Sequence, residues 1–105
     1  MTDDIPQLTA SERCVLELLL DKKEEKFGLQ LVAEGAGILA RSSIYVVLDR
    51  MQQKGLIESR AEEKIPDRPG IPRRMYKVTG KGAYAMTLHR QWSEFLQGQE
   101  GLDHA

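Results

Sequence analysis

Residues 65–72 read Ile-Pro-Asp-Arg-Pro-Gly-Ile-Pro, with three prolines and a glycine in eight positions. Proline lacks the amide proton that helices and sheet ladders need, so no regular element crosses this stretch. The flanks must therefore be separate elements. After the break, Arg74-Met75-Tyr76-Lys77-Val78-Thr79 alternates polar and apolar side chains, the period of a half-buried strand. Before it, residues 56–63 open with Leu56-Ile57 and supply a second arm. The expected product is a β-hairpin with a protruding loop whose base and edges carry Lys64, Arg68, Arg73 and Arg74.

Helical signals fill the rest of the chain. Thr9 followed three residues later by Glu12 is a capping box, with Leu8 placed as half of a hydrophobic staple. Val15, Leu16, Leu18, Leu19 and Leu20 then predict an apolar helix over residues 10–21, ended by the charged run Asp21-Lys22-Lys23-Glu24-Glu25. A second helix is expected from residue 25 or 26 to 34, with Phe27, Leu29 (or Gln30), Leu31 and Val32 inward and Gly35-Ala36-Gly37 as its stop. Ile44, Val47, Leu48 and Met51 recur at spacings of three and four, predicting a third helix from residue 42 or 43 to 54 that Gly55 closes. Its other face carries Arg41, Ser42, Tyr45, Asp49, Arg50 and Gln53. Ala85, Leu88, Trp92, Phe95 and Leu96 mark a last helix from residue 79 or 80 to 97 or 98, leaving residues 99–105 as a frayed tail.

Three helices, a two-stranded wing and a final helix make a mostly α chain with a small β-hairpin, an α+β class. Winged helix-turn-helix is one of several small plans that periodicity alone allows. A winged domain would span residues 8–79 and a C-terminal dimerisation helix residues 80–98. At 105 residues the chain has room for one domain core.

Two segments carry a family resemblance. Ser42-Ser43-Ile44-Tyr45-Val46-Val47-Leu48-Asp49-Arg50-Met51-Gln52-Gln53-Lys54-Gly55-Leu56-Ile57 resembles the recognition helix and first wing strand of PadR-type regulators, and Arg73-Arg74-Met75-Tyr76-Lys77-Val78-Thr79-Gly80-Lys81-Gly82 resembles their wing return. Phe27-Gly28 is similar to the aromatic-glycine pair that opens the family's second helix. The chain departs from the family pattern at Ser42, Val46 and Gln52, where Gly, Pro and Glu are common, and at Lys23-Glu24-Glu25, in place of the usual Gly-Pro before the second helix. The resemblance covers about residues 8–97. It implies a sequence-specific DNA-binding transcriptional regulator acting as a homodimer, with the third helix in the major groove. Repression is the simplest mode of action for so small a protein, by occluding a promoter.

The charge distribution agrees with that expectation where the total does not. The formal net charge is −1, yet residues 41–81 hold ten basic and five acidic side chains while residues 1–40 hold four and eight. A basic middle between acidic ends suits a DNA-facing surface on a near-neutral protein. Arg41, Ser42, Ser43 and Tyr45 stand at the start of the third helix, where free amides and hydroxyls favour phosphate oxygens and side chains reach base edges. Lys64, Arg68, Arg73 and Arg74 would meet flanking phosphates or the minor groove. Blander readings stay open: Tyr45 as a packing tyrosine, Ser42 or Ser43 as a helix cap, the wing cations as solvated loop charge. Arg50 or Lys54 is expected to pair with an acidic neighbour.

Leu88, Trp92, Phe95 and Leu96 form an apolar stripe with little inside one small domain to cover it, which suggests a twofold partner surface. The alternative is packing against the chain's own first helix. The resemblance further implies that Trp92 lines a pore accepting a small planar hydrophobic effector. The competing function is a winged-helix protein–protein interaction module without DNA binding, and a structural or phage-encoded adaptor also stays open.

Catalytic chemistry is not written in this chain. His89, His104 and Cys14 have no metal-ligand spacing, Ser42-Ser43 lacks a nearby base, and Gly80-Lys81-Gly82 is too short to cradle a phosphate. No enzyme activity, cofactor or metal is expected. The N-terminus does not read as a secretory signal, no stretch reads as a membrane span, and a lone cysteine in an apolar run reads as a buried thiol, so a cytoplasmic protein is expected.

Overall fold

The computed structural model describes residues 7–63, 70 and 72–103, with side chains in the last helix described as far as Gln97. Its elements are α1 (Ala10–Leu20), β1 (Lys26–Phe27), α2 (Gly28–Glu34), α3 (Ile44–Gln53), β2 (Ile57–Ala61), β3 (Arg74–Val78) and α4 (Gly80–Asp103).

α1 begins as its sequence predicts. Thr9 Oγ1 accepts from the Glu12 amide at 3.1 Å and Glu12 Oε1 accepts from the Thr9 amide at 3.0 Å. The other Glu12 oxygen accepts from Lys54 Nζ at 2.6 Å, so the cap of α1 is tied to the end of α3. This is the acidic pairing expected for Arg50 or Lys54, and Lys54 is the one that makes it.

α3 ends in a Schellman motif. The Leu56 amide donates to the Met51 carbonyl and the Gly55 amide to the Gln52 carbonyl, both at 2.9 Å. Gly55 sits at φ +77°, a left-handed conformation that suits glycine. The chain leaves this corner directly into β2.

The sheet has three strands rather than the two expected. Its order is β1-β3-β2, antiparallel throughout. Lys26 and Phe27 pair with Tyr76 and Met75, so the residues expected to open the second helix form a short strand and α2 starts at Gly28. Two residues are too few for a period-two pattern to show in the sequence. Leu29 also differs from expectation: it is exposed, and Leu31 is the fully buried residue of α2.

The core is built by Val15, Leu16 and Leu19 of α1, Leu31, Leu39, then Ile44, Leu48 and Met51 of α3. Leu56, Ile57 and Tyr76 close it from the sheet, and Ala85 and Met86 from α4. Cys14 is half-buried against this core, where burial pushes its thiol pKa up, so it behaves as a small apolar residue.

α4 is seated by Thr79. Its hydroxyl donates to the Gly55 carbonyl at 2.6 Å and accepts from the Gly82 amide at 3.0 Å. A β-carbon on Gly82 would stand 2.1 Å from the Leu56 carbonyl oxygen, so only glycine permits this approach of helix to corner. After Met86 no described residue of α4 is buried, and the helix continues past residue 98 to Asp103. Twenty-four residues make a rod of about 36 Å, more than half the molecule's longest extent of 63 Å.

Candidate nucleic-acid interface

The front of α3 is open. Arg41, Ser42, Ser43, Tyr45 and Val46 are all exposed, and Ser43, the N-cap, makes no side-chain capping bond. Its hydroxyl is thus not consumed in closing the helix. The buried face of α3 is Ile44, Leu48 and Met51, which sets Val46, Asp49 and Gln53 facing away from the core. Tyr45 serves two purposes at once. Its ring lies against Gly28 at the start of α2 while about half of the side chain remains exposed.

The wing joins α3 through a short relay. Arg74 Nη1 donates to Ser59 Oγ at 3.0 Å, and that hydroxyl donates to Gln52 Oε1 at 3.1 Å. The buried Tyr76 phenol feels Arg74, Tyr45 and Asp49 electrostatically, although burial dominates and raises its pKa. Arg74 and the outer residues of α3 therefore belong to one side of the molecule.

Arg73 does not join them. Successive residues of an extended chain point to opposite faces. Arg73 grips Glu62 with two hydrogen bonds, Nε to Oε2 at 2.9 Å and Nη2 to Oε1 at 2.6 Å. Its guanidinium stands 4.1 Å from the centre of the Phe27 ring, an arrangement that ties the base of the wing to β1. Lys64 and Arg68 lie outside the described residues.

Other cations of the sheet are likewise neutralised. Arg60 holds Glu25 through Nε and Nη2, each at 2.8 Å, and Lys77 lies 3.3 Å from Glu58. The buried Lys26 pairs with Glu34, whose carboxyl is held below its ordinary pKa. By contrast, the exposed Arg41 and Arg50 have no acidic partner among the described residues. Arg41 and Arg50 beside α3, and Arg74 on the wing, are thus left without an acidic partner among those residues, while Lys26, Arg60, Arg73 and Lys77 of the sheet region are paired.

The α4 stripe is exposed in the single chain. Trp92, Phe95 and Leu96 are 41%, 53% and 43% exposed, and Leu88 is half-buried. The Trp92 and Phe95 rings stack on each other with centroids 5.6 Å apart. Tyr84, 64% exposed, extends the stripe toward the body. It lies outside the stripe expected from sequence, although its position four residues before Leu88 is a helical spacing that signals it.

Val46 is likewise missing from the outer face expected from sequence. The signal is present, because an apolar residue two positions after Ile44 falls off the buried face of the helix. Among the described residues no group of His, Cys, Asp or Glu could hold a metal ion, and no helix is long and apolar enough to cross a membrane.

The sequence model of the transcriptional regulator PadR-like family matches residues 15–88. No curated protein matches the chain. A PadR family transcription regulator from a hypervirulent Clostridium difficile superimposes with a TM-score of 0.73 at 19% identity, covering 92% of this chain and 100% of that one. A PadR-like transcriptional regulator from Bacillus cereus superimposes with a TM-score of 0.64 at 26% identity, covering 90% of this chain and 91% of that one.

Proposed function

The chain belongs to the PadR-like family of transcriptional regulators, and from that premise we propose that it represses transcription in the cytoplasm by binding operator DNA as a homodimer. α3 enters the major groove with Arg41, Ser42, Ser43 and Tyr45 at its leading end, and the wing lies on flanking backbone. The observation that carries this reading is the open front of α3: exposed, uncapped by its own serine, with unpaired arginines beside it, while most sheet cations are already neutralised. Arg74 is the wing cation on the same side, and Arg73 supports the wing from its opposite face through Glu62 and Phe27. Lys64 and Arg68 belong to the same proposed DNA surface.

Dimerisation uses α4. Leu88, Trp92, Phe95 and Leu96 of two chains cover each other, residues 80–98 serving as the dimer helix and residues 8–79 as the DNA-binding domain. In the same reading Trp92 contacts a small planar hydrophobic effector, which its exposed ring, stacked on Phe95, supports.

Mobility shift on the DNA upstream of the protein's own gene, repeated across a salt series, tests the reading. Affinity should fall steeply as salt rises. Absence of any salt-sensitive complex, on that DNA and on random duplexes, would favour the protein–protein module instead.

A further inference from the structure

The residues of α3 that face away from the core are Val46, Asp49, Arg50 and Gln53. Asp49 and Gln53 are satisfied by each other, Gln53 Nε2 donating to Asp49 Oδ2 at 2.9 Å, and Arg50 is the cation at their edge. Val46 is different: a branched hydrocarbon, 54% exposed, in the first turn of the helix and adjacent to Tyr45. It contributes nothing to the core, and branching at Cβ lowers helix propensity. Neither packing nor local structure accounts for a valine there.

Asp49 restricts what the outward face can meet. A carboxylate is repelled by phosphates, so the Asp49 edge of this strip is kept off the DNA backbone, which is left to Arg50 on the other edge. It can lie over base edges, where the cytosine amino group is a donor that a carboxylate accepts. One turn closer to the helix start, the base-edge group that matches an uncharged branched side chain is the thymine C5-methyl, which projects into the major groove.

We infer that Val46 is a base-reading residue that packs its methyl groups on a thymine C5-methyl in each operator half-site, selecting T·A at that position. This rests on α3 being the groove-entering helix. Ser42, Ser43 and Tyr45 position the helix on the backbone, and Val46 distinguishes sequences without a hydrogen bond.

The test uses the full chain. Sequences bound from a random duplex pool define the site, and each thymine in it is then replaced singly by deoxyuridine, which removes only the methyl group. Binding is followed by fluorescence anisotropy at one salt concentration. One thymine per half-site should show a loss of about fourfold on replacement, the worth of roughly one buried methyl group. Val46→Ala should bind the thymine and uracil duplexes alike at that position. Val46→Thr, which keeps one γ-methyl, should retain discrimination. Circular dichroism checks that both variants are folded. If no thymine is sensitive in the wild type, or if Val46→Ala keeps the same sensitivity, the inference fails while the DNA-binding reading stands. If selection enriches nothing and binding does not respond to salt, both fail together.

Discussion

Tyr45 closes on Gly28 across the turn between α2 and α3: a β-carbon on Gly28 would stand 2.7 Å from the tyrosine Cε1 and 3.0 Å from its hydroxyl oxygen. The first residue of one helix thus sets the pose of a side chain at the front of the next. Because Tyr45 is half exposed, its ring can swing outward if crowded. Gly28→Ala should then cost under about 1 kcal/mol of stability, since alanine also gains helix propensity at that site. DNA affinity should fall several-fold, matching Tyr45→Ala. Urea denaturation and mobility shift on the same variants check this; a large stability loss with unchanged affinity would mean that the ring is held in place and does not touch DNA.

Gly82 offers the contrasting case. The atom a β-carbon there would meet, at 2.1 Å, is the Leu56 backbone carbonyl oxygen, and backbone at the α3–β2 corner cannot step aside. Gly82→Ala should destabilise by roughly 2 kcal/mol or more. Thermal unfolding reads this directly. A near-neutral result would show that α4 can shift bodily along the corner.

The capping box makes stability depend on acid pH. Burial alone would raise the Glu12 pKa, but hydrogen bonds from Lys54 and from the Thr9 amide outweigh it and hold the carboxyl below its ordinary value of 4.5. A folded-state pKa below the unfolded one contributes stability that is complete above the unfolded value. The contribution disappears as pH falls through the folded value. Glu12→Gln keeps an acceptor for the Thr9 amide but loses the charge facing Lys54. It should cost about 1–2 kcal/mol at neutral pH. The gap from wild type should close in the acid range below 4.5. Urea midpoints measured from neutral pH to pH ~3 test this; a gap independent of pH would assign the cost to packing.

Arg73 and Arg74 show where the sequence is legible and where it stops being so. The basic return strand, its alternation and its pairing with β2 follow from residue types. So do the capping box, the α3 core face and the Gly55 corner, because each is a local pattern with a local cause. The different fates of two adjacent arginines do not follow, because they depend on Glu62 and Ser59 across the hairpin and on Phe27 from a strand two residues long. Tertiary partners decide which cation remains available, and a charge tally along the chain cannot.

That difference predicts unequal salt responses. Arg74→Ala should weaken binding to all duplexes and reduce the slope of log affinity against log salt by about one. Arg73→Ala should leave the slope nearly unchanged and instead loosen the wing, seen as faster amide exchange in β2 and β3. Reversed outcomes would turn the DNA-facing side of the sheet over.

The stripe on α4 gives the last prediction. In the isolated chain the stacked rings of Trp92 and Phe95 stand on an exposed helix face, a costly exposure unless another surface covers it. Under the proposed function, two copies related by a twofold axis would cover it with identical residues and would present two α3 helices to two half-sites. Linking the half-site contacts in one molecule raises affinity by a factor on the order of 100 or more. Phe95→Glu places a charge in that surface without touching the core, because Phe95 is 53% exposed in the single chain. Sedimentation should show a dimer for the wild type and a monomer for Phe95→Glu, with tryptophan emission shifted to the red and operator affinity reduced by about the linkage factor. A monomeric wild type, or a variant that stays dimeric, would move the partner surface away from α4, and the proposed effector position at Trp92 would go with it.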